Sequence, residues 1–238
     1  MTIHALDLSL SFEEVPTRYR PRPPSSPSKL RTIKDGIPDP QIHPIDFSAL
    51  NYTSNLLNLA PIFLTPLIVI AGRGATEAGY YYLAFQIANL VYAVSESLFA
   101  EGSRDDIDLG QLALPSAKLL TAIALPAGVA LALTGRWVLL VFGAQYSTHA
   151  SGALVVFGMA VPAVALCAWA DSLLRIRGQL RALNCSMALY AALTCGLGIA
   201  WVHRGPTGVA FAWLVGNVAA GTCAATTLLA GWRRSTSP

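Results

Sequence analysis

Six stretches of about 20 mostly apolar residues follow residue 48, and polar segments of short or modest length separate them. A helix needs about 20 residues to cross the roughly 30 Å hydrocarbon core of a bilayer. The predicted spans are residues 49–71, 79–100, 115–134, 151–172, 183–203 and 207–231. Because the connections are short, consecutive helices should run antiparallel. The pattern therefore predicts an all-α integral membrane lobe of six transmembrane helices in residues 48–238, arranged as a stack of hairpins.

Amide side chains recur at helical spacing within the first two spans. At about 100° per residue, the polar residues of each span fall within roughly 80° of arc and form one narrow stripe. The stripes comprise Asn51, Asn55, Asn58, Gln86, Asn89 and Glu96. Unpaired polar groups are costly in hydrocarbon, so each stripe should face either a neighbouring helix or a water-filled space. Two stripes on consecutive helices favour a shared aqueous cavity, with hydrogen bonds between helices as the alternative.

Residues 1–47 differ from the rest of the chain, since they contain eight prolines and show neither helical nor strand periodicity. Six of the 16 Lys and Arg residues lie between Arg18 and Lys34. Such segments bury too little apolar surface to fold, which predicts a mostly disordered tail. Contact of this basic tail with anionic lipid headgroups is an alternative that the composition leaves open.

Composition and charge placement agree with a membrane protein. Hydrophobic residues make up 54% of the chain and charged residues 12%, about half the charged share of a typical soluble domain. Lys and Arg lie mostly on one side of the predicted spans, which places both termini in the cytoplasm. The opposite ends gather the aromatic side chains expected at the headgroup level, namely Tyr80, Tyr81, Tyr82, Trp137, Tyr146 and Trp201. The segment WVLLVFGAQY between the third and fourth spans is too short to cross, which predicts an interfacial or re-entrant piece.

Groups for catalysis or metal binding are sparse. The four cysteines lie within apolar runs and are interpreted as buried hydrophobes, and no metal-ligand or nucleophile spacing occurs. We therefore expect no catalytic residue, no metal and no cofactor. The DDID cluster at 105–108 resembles a metal-nucleotide-sugar site, but carboxylates before a helix also stabilise its N-terminal dipole. Asp171 and Arg175 are four residues apart, which predicts an ion pair on one helix face. Basic stripes with interleaved aromatics are missing, so we expect no nucleic-acid partner.

Several motifs, in order, resemble the C-terminal half of polysaccharide flippases. They are VFGAQY at 141–146, LLRIRGQLRAL at 173–183 and GPTGVAFAWLVGN at 205–217. The pair formed by residues 51–70 and 78–91 is similar to the first two helices of that half. These flippases are the O-antigen and lipid-linked oligosaccharide exporters of the multidrug/oligosaccharidyl-lipid/polysaccharide superfamily. The resemblance covers most of residues 48–231.

This resemblance implies one lobe of a two-lobed transporter of the bacterial inner membrane. Such a transporter works by alternating access and moves a sugar-diphosphate polyprenyl lipid between leaflets. It further implies that the polar stripes line the path of an anionic, sugar-bearing headgroup and that membrane lipid surrounds the lobe. A second copy or an N-terminal-lobe partner would complete the path. A truncated product is the alternative. For Glu96, proton exchange and a structural hydrogen bond both remain open. The rival function is a non-transporting membrane scaffold for polysaccharide-assembly enzymes, and a membrane-bound sugar transferase is a third.

Overall fold

The computed structural model describes the backbone of residues 44–102 and 109–235, and the side chains of residues 47–93 and 117–230. Within these ranges the chain forms helices and no strand. The helices are α1 (Pro44–Arg73), α2 (Ala75–Gly102), α3 (Leu109–Leu140), α4 (Ala144–His149), α5 (Ser151–Ile176), α6 (Leu180–Trp201) and α7 (Gly205–Ser235), with a 3-10 helix at Val202–Arg204. The predicted disordered tail lies outside the described residues, except that α1 begins at Pro44, ahead of the expected residue 49.

Four helical segments are long and apolar enough to cross a membrane: Phe47–Arg73, Ala117–Leu140, Ser151–Ile176 and Leu180–Ala230. The last has 51 residues and includes α6, the 3-10 helix and most of α7. At a rise of about 1.5 Å per residue, a straight helix of that length would be more than twice as long as the roughly 30 Å hydrocarbon core. The segment breaks at Gly205, whose φ of 71° is open to glycine and strained for other residues.

Helices α5 and α7 form the centre of the lobe. Helix α7 packs along both α5 and α6, while α3 and α2 cover α5, and α1 lies against α6. Helices α5 and α6 follow one another but have little contact, so the predicted stack of sequential hairpins is wrong at this point. The reason is that the small residues of α7 let it pack closely against both helices. A Cβ at Gly216 would lie 2.0 Å from the Thr194 hydroxyl of α6, and one at Gly221 would lie 3.3 Å from the Cys167 backbone of α5.

The outer helices expose their apolar side chains. In the most apolar window of α5, 61% of the residues are buried, against 17% in α1 and 22% in α3. An apolar surface of this extent is unfavourable in water, whereas lipid tails accept it. The fold is thus that of a helical bundle with an apolar outside, as a membrane lobe requires.

The region between α3 and α5 contains a short helix, where the sequence predicted an interfacial or re-entrant piece. Helix α3 extends to Leu140, beyond the predicted residue 134, and a turn then leads into α4. Tyr80 packs edge-on against Tyr146 of α4 with ring centroids 5.1 Å apart. Tyr81, however, is 0% exposed and contacts Phe85 and Phe157 in the core. Its assignment to an aromatic belt at the headgroup level is therefore wrong.

Candidate functional site

A partly open cavity of about 300 Å³ lies among α1, α2, α5, α6 and α7. Its polar lining includes Asn58, Asn89, Asp171, Tyr190, Trp213 and Asn217. The volume is at the lower end of the roughly 300–1,000 Å³ that ligand sites occupy. The polar stripes predicted for the first two spans therefore reach one common space, through Asn58 of α1 and Asn89 of α2.

On α2, the polar stripe forms a chain of hydrogen bonds that leads to the cavity. The Gln86 amide nitrogen donates to the Tyr82 hydroxyl at 2.6 Å, and the Asn89 amide nitrogen donates to the Gln86 side-chain oxygen at 3.3 Å. Tyr82 and Gln86 are exposed, whereas Asn89 is half-buried at the cavity. Glu96 belongs to α2 as well, but its side chain lies outside the described residues.

On α1, the stripe divides into two parts. Asn58 lines the cavity, whereas Asn51 and Asn55 accept hydrogen bonds from the Arg175 guanidinium of α5. The Asn55 contact measures 2.9 Å, and a third bond from the same guanidinium reaches the Ser54 hydroxyl at 3.3 Å. These three α1 residues, Asn51, Ser54 and Asn55, form what we call the amide cradle. Two of the six residues predicted to face the path are thus engaged by an arginine.

The predicted pair of Asp171 and Arg175 makes no direct contact in the described residues: the guanidinium donates to α1 and interacts with the carboxyl group through charge alone. Asp171 is only 9% exposed, and its Oδ2 accepts a weak hydrogen bond from the Cys167 thiol at 3.7 Å. Its Oδ1 has no hydrogen-bond partner within the part of the chain that the structure describes. A buried carboxyl oxygen without a partner is costly, so this wall of the cavity favours a ligand or water that donates to it.

Aromatic side chains also line the cavity. Trp213 is buried, and its ring packs edge-on against the rings of Phe85 and Tyr190, with centroids 4.7 Å and 5.6 Å apart. Its indole N–H lacks a described acceptor. The Asn217 amide nitrogen donates to the Trp213 carbonyl at 2.9 Å. Tyr92 donates to the Phe157 carbonyl at 2.9 Å, which fixes α2 on α5. Among the described lining residues, the Trp213 indole N–H and the Asp171 Oδ1 thus lack a hydrogen bond of standard geometry, and they lie beside amides and aromatic rings.

Sequence reasoning missed the contributions of α5, α6 and α7 to the cavity. Asp171 was assigned to an ion pair, and Tyr190 was not singled out. One signal was available, because Trp213 and Asn217 are four residues apart in the middle of an apolar span. Such a pair shares a helix face, far from the ends where aromatic belts occur. The same test that found the stripes of the first two spans would have found this pair.

The described lining supports binding and offers no assembled catalytic group. Asp171 is its only described carboxylate, and no group of three or more His, Cys, Asp or Glu side chains in the described residues could hold a metal ion. Amides, a carboxyl group and aromatic rings together suit a small polar ligand or a polar part of a larger one. No protein-family model, curated protein or solved structure matches this chain.

Proposed function

We propose that the chain is a membrane transport lobe that moves a lipid-linked oligosaccharide between leaflets during polysaccharide biosynthesis. The supporting observation is the polar cavity, in which Asn58, Asn89 and Asp171 meet inside a bundle with an apolar outer surface. Sugar hydroxyls both donate and accept hydrogen bonds, so they match amides and a carboxyl group. The lipid-linked substrate class comes from the resemblance of the sequence motifs to flippases.

In this proposal, the six long helices all cross the bacterial inner membrane, with both termini in the cytoplasm. Helices α6 and α7 are separate crossings because the 3-10 helix and Gly205 divide the long apolar segment. Arg177 and Arg181 lie in and after the α5–α6 connection, on the side that the positive-inside rule assigns to the cytoplasm. Trp137, which is 65% exposed near the end of α3, suits the opposite headgroup region.

A second lobe completes the proposed path. A cavity of about 300 Å³ has room for a small polar group and not for a whole oligosaccharide. In addition, Tyr82, Gln86 and Asn58 are exposed on the face formed by α1 and α2, where contact with lipid tails would be costly. A second copy of the chain or a separate partner lobe across this face would cover these groups and enlarge the cavity.

The test is translocation of a fluorescent polyprenyl-diphosphate oligosaccharide in vesicles that contain the purified protein. A membrane-impermeant quencher measures the fraction in the outer leaflet over time. The double variant Asn58→Leu/Asn89→Leu removes two amides from the cavity, each worth about 1 kcal/mol of hydrogen bonding. Translocation should slow by about tenfold or more.

The matched control is Gln145→Leu, which also replaces an amide by leucine, at an exposed residue of α4 outside the cavity whose amide oxygen accepts a long hydrogen bond of 3.4 Å from the Tyr80 hydroxyl. It should leave the rate within about twofold of the original protein. Vesicles with the unaltered protein that translocate no faster than empty vesicles would contradict transport. Intact binding of polysaccharide-assembly enzymes by the double variant, together with absent translocation by the unaltered protein, would favour the scaffold.

A further inference from the structure

The Arg175 guanidinium is held in place by neutral groups. Its described acceptors are the side-chain oxygens of the amide cradle, Asn51, Ser54 and Asn55. Ser54 is fully buried. Its hydroxyl donates a hydrogen bond to the Asn51 backbone carbonyl at 2.8 Å, so the lone pairs of the hydroxyl oxygen face the guanidinium. Asn184 of α6 donates to the Leu50 carbonyl at 2.9 Å and so fixes the same part of α1. These hydrogen bonds therefore orient the cradle towards the guanidinium.

The guanidinium of Arg175 makes no direct contact with a carboxylate in the described residues. Asp171, one helical turn earlier on α5, interacts with Arg175 through charge alone, and its Oδ2 accepts a weak hydrogen bond from the Cys167 thiol. A guanidinium has five N–H donors, and three described bonds leave donors for a further acceptor. Arg175 is half-buried and its neighbour Asn55 is exposed, so a ligand can reach this side of the cradle. An oxyanion supplies both an opposite charge and an acceptor for one of these remaining donors.

Arg175 also lies close to the mouth of the cavity. It follows Asp171 of the cavity lining by four residues, which is about 6 Å along the axis of α5 and returns to nearly the same face. Helix α5 ends one residue later, at Ile176. The guanidinium is thus at the end of the helix, where the proposed topology puts headgroup phosphates.

We infer that Arg175 and the amide cradle form a binding site for the phosphate anion of a lipid headgroup. The inference rests on the proposed function for one of its two sources, the diphosphate of the transported polyprenyl lipid; the other source is a phospholipid of the bilayer. In either case a remaining N–H of the guanidinium donates to a phosphate oxygen while the cradle holds the plane of the guanidinium. The cradle amides act as positioning residues, and Arg175 contacts the anion.

The decisive variant is Asn55→Asp, measured by native mass spectrometry of the full chain released from phosphatidylcholine nanodiscs. The added probe is geranylgeranyl diphosphate, with geranylgeraniol as the ligand that lacks phosphate. Asp keeps the shape and the acceptor oxygen of Asn55 but neutralises Arg175. If Arg175 binds an anion, the apparent Kd of the diphosphate should rise by about tenfold or more. If Arg175 only ties α5 to α1, Asn55→Asp should strengthen the tie and leave binding unchanged, which would overturn the inference.

Thr53→Asp is the matched control, since it adds the same charge at an exposed neighbour whose hydroxyl bonds to Ala49 of its own helix. It should change the Kd by less than about threefold, because exposed charges are screened. An equal loss with Thr53→Asp and Asn55→Asp would contradict a local site. Arg175→Gln should weaken binding by about ten- to hundredfold, and Arg175→Lys by less, since a lysine keeps the charge but loses the fixed orientation of the guanidinium donors.

The two phosphate sources are separated by mass in the same spectra, after phosphatidylglycerol is mixed into the nanodiscs. Diphosphate adducts that outnumber phosphatidylglycerol adducts at equal concentration assign the site to the transported lipid. Equal adducts, both lost with Asn55→Asp, assign it to bilayer phospholipid. Diphosphate binding without translocation would contradict the proposed function alone, whereas translocation with binding unaffected by Asn55→Asp would contradict this inference alone.

Discussion

The two parts of the α1 stripe have the same chemistry and different surroundings. Asn58 lines an open cavity, while Asn51 and Asn55, on the same face and one or two turns earlier, contact a guanidinium from a helix about 120 positions later in the chain. Helical spacing placed all three amides on one face, but it carried no information about what that face would meet. An amide that faces a cavity is available to a ligand, whereas an amide bound to Arg175 stabilises the bundle and orients a charge. We therefore expect changes at the amides bound to Arg175 to affect mainly stability, and changes at Asn58 to affect mainly function.

The largest expected effect on stability comes from Arg175→Leu. This change leaves three acceptors of the cradle without their donor, and hydrogen bonds to charged groups are worth about 1.5–3 kcal/mol each when buried. Because Arg175 is half-buried, we expect the free energy of unfolding to fall by about 2–3 kcal/mol in total. Thermal unfolding in detergent would measure it. Asn58→Leu is the comparison, and its expected change is within about 0.5 kcal/mol because Asn58 is exposed. Equal losses from both changes would remove the distinction between the two parts of the stripe.

A double-mutant cycle sharpens the same comparison with a smaller effect. The cycle of Asn51→Ala with Arg175→Ala should give a coupling energy of about 1 kcal/mol, since contacting residues couple by roughly 0.5–3 kcal/mol. The cycle of Asn58→Ala with Arg175→Ala should give a coupling close to zero, because Asn58 has no described bond to Arg175. Unfolding midpoints of the four proteins in each cycle provide both numbers. A coupling of similar size in the two cycles would show that Arg175 acts on α1 as a whole.

Local features of the fold were predictable, because each depends on residues close in sequence. Apolar stretches gave the positions of the long helices, and the break between α6 and α7 coincides with HRGPTG at 203–208. The position of Tyr81 was also open to prediction, since three consecutive residues on a helix point about 100° apart and cannot all face the headgroups. Of the three rings, Tyr82 is 51% exposed, whereas Tyr80 and Tyr81 are buried and Tyr81 packs on Phe157.

Long-range features were beyond a single sequence. The partner of Arg175 could be its helix neighbour Asp171 or any acceptor that folding brings near, and the spacing of four residues favours only the first. The fold brings the amide cradle of α1 within hydrogen-bond distance of Arg175 at the end of α5. The placement of α7 against both α5 and α6 depends likewise on close approach at Gly216 and Gly221. These contacts join residues far apart in the chain, so periodicity within one helix cannot reveal them.

The smallest expected effect comes from a comparison of Asp171 and Arg175, whose charges are one turn apart on α5. Asp171→Asn replaces a buried carboxyl group whose Oδ1 has no described partner. An amide of the same shape needs no charge compensation, so the free energy of unfolding should stay constant or rise by up to about 1 kcal/mol. Arg175→Gln also removes one charge, but it should destabilise the lobe because the cradle loses its donor. The two changes, measured by thermal unfolding under identical conditions, should therefore differ in sign. If Asp171→Asn instead destabilised the lobe as much as Arg175→Gln, the carboxyl group would have a stabilising partner. It would then not be an open acceptor in the cavity wall.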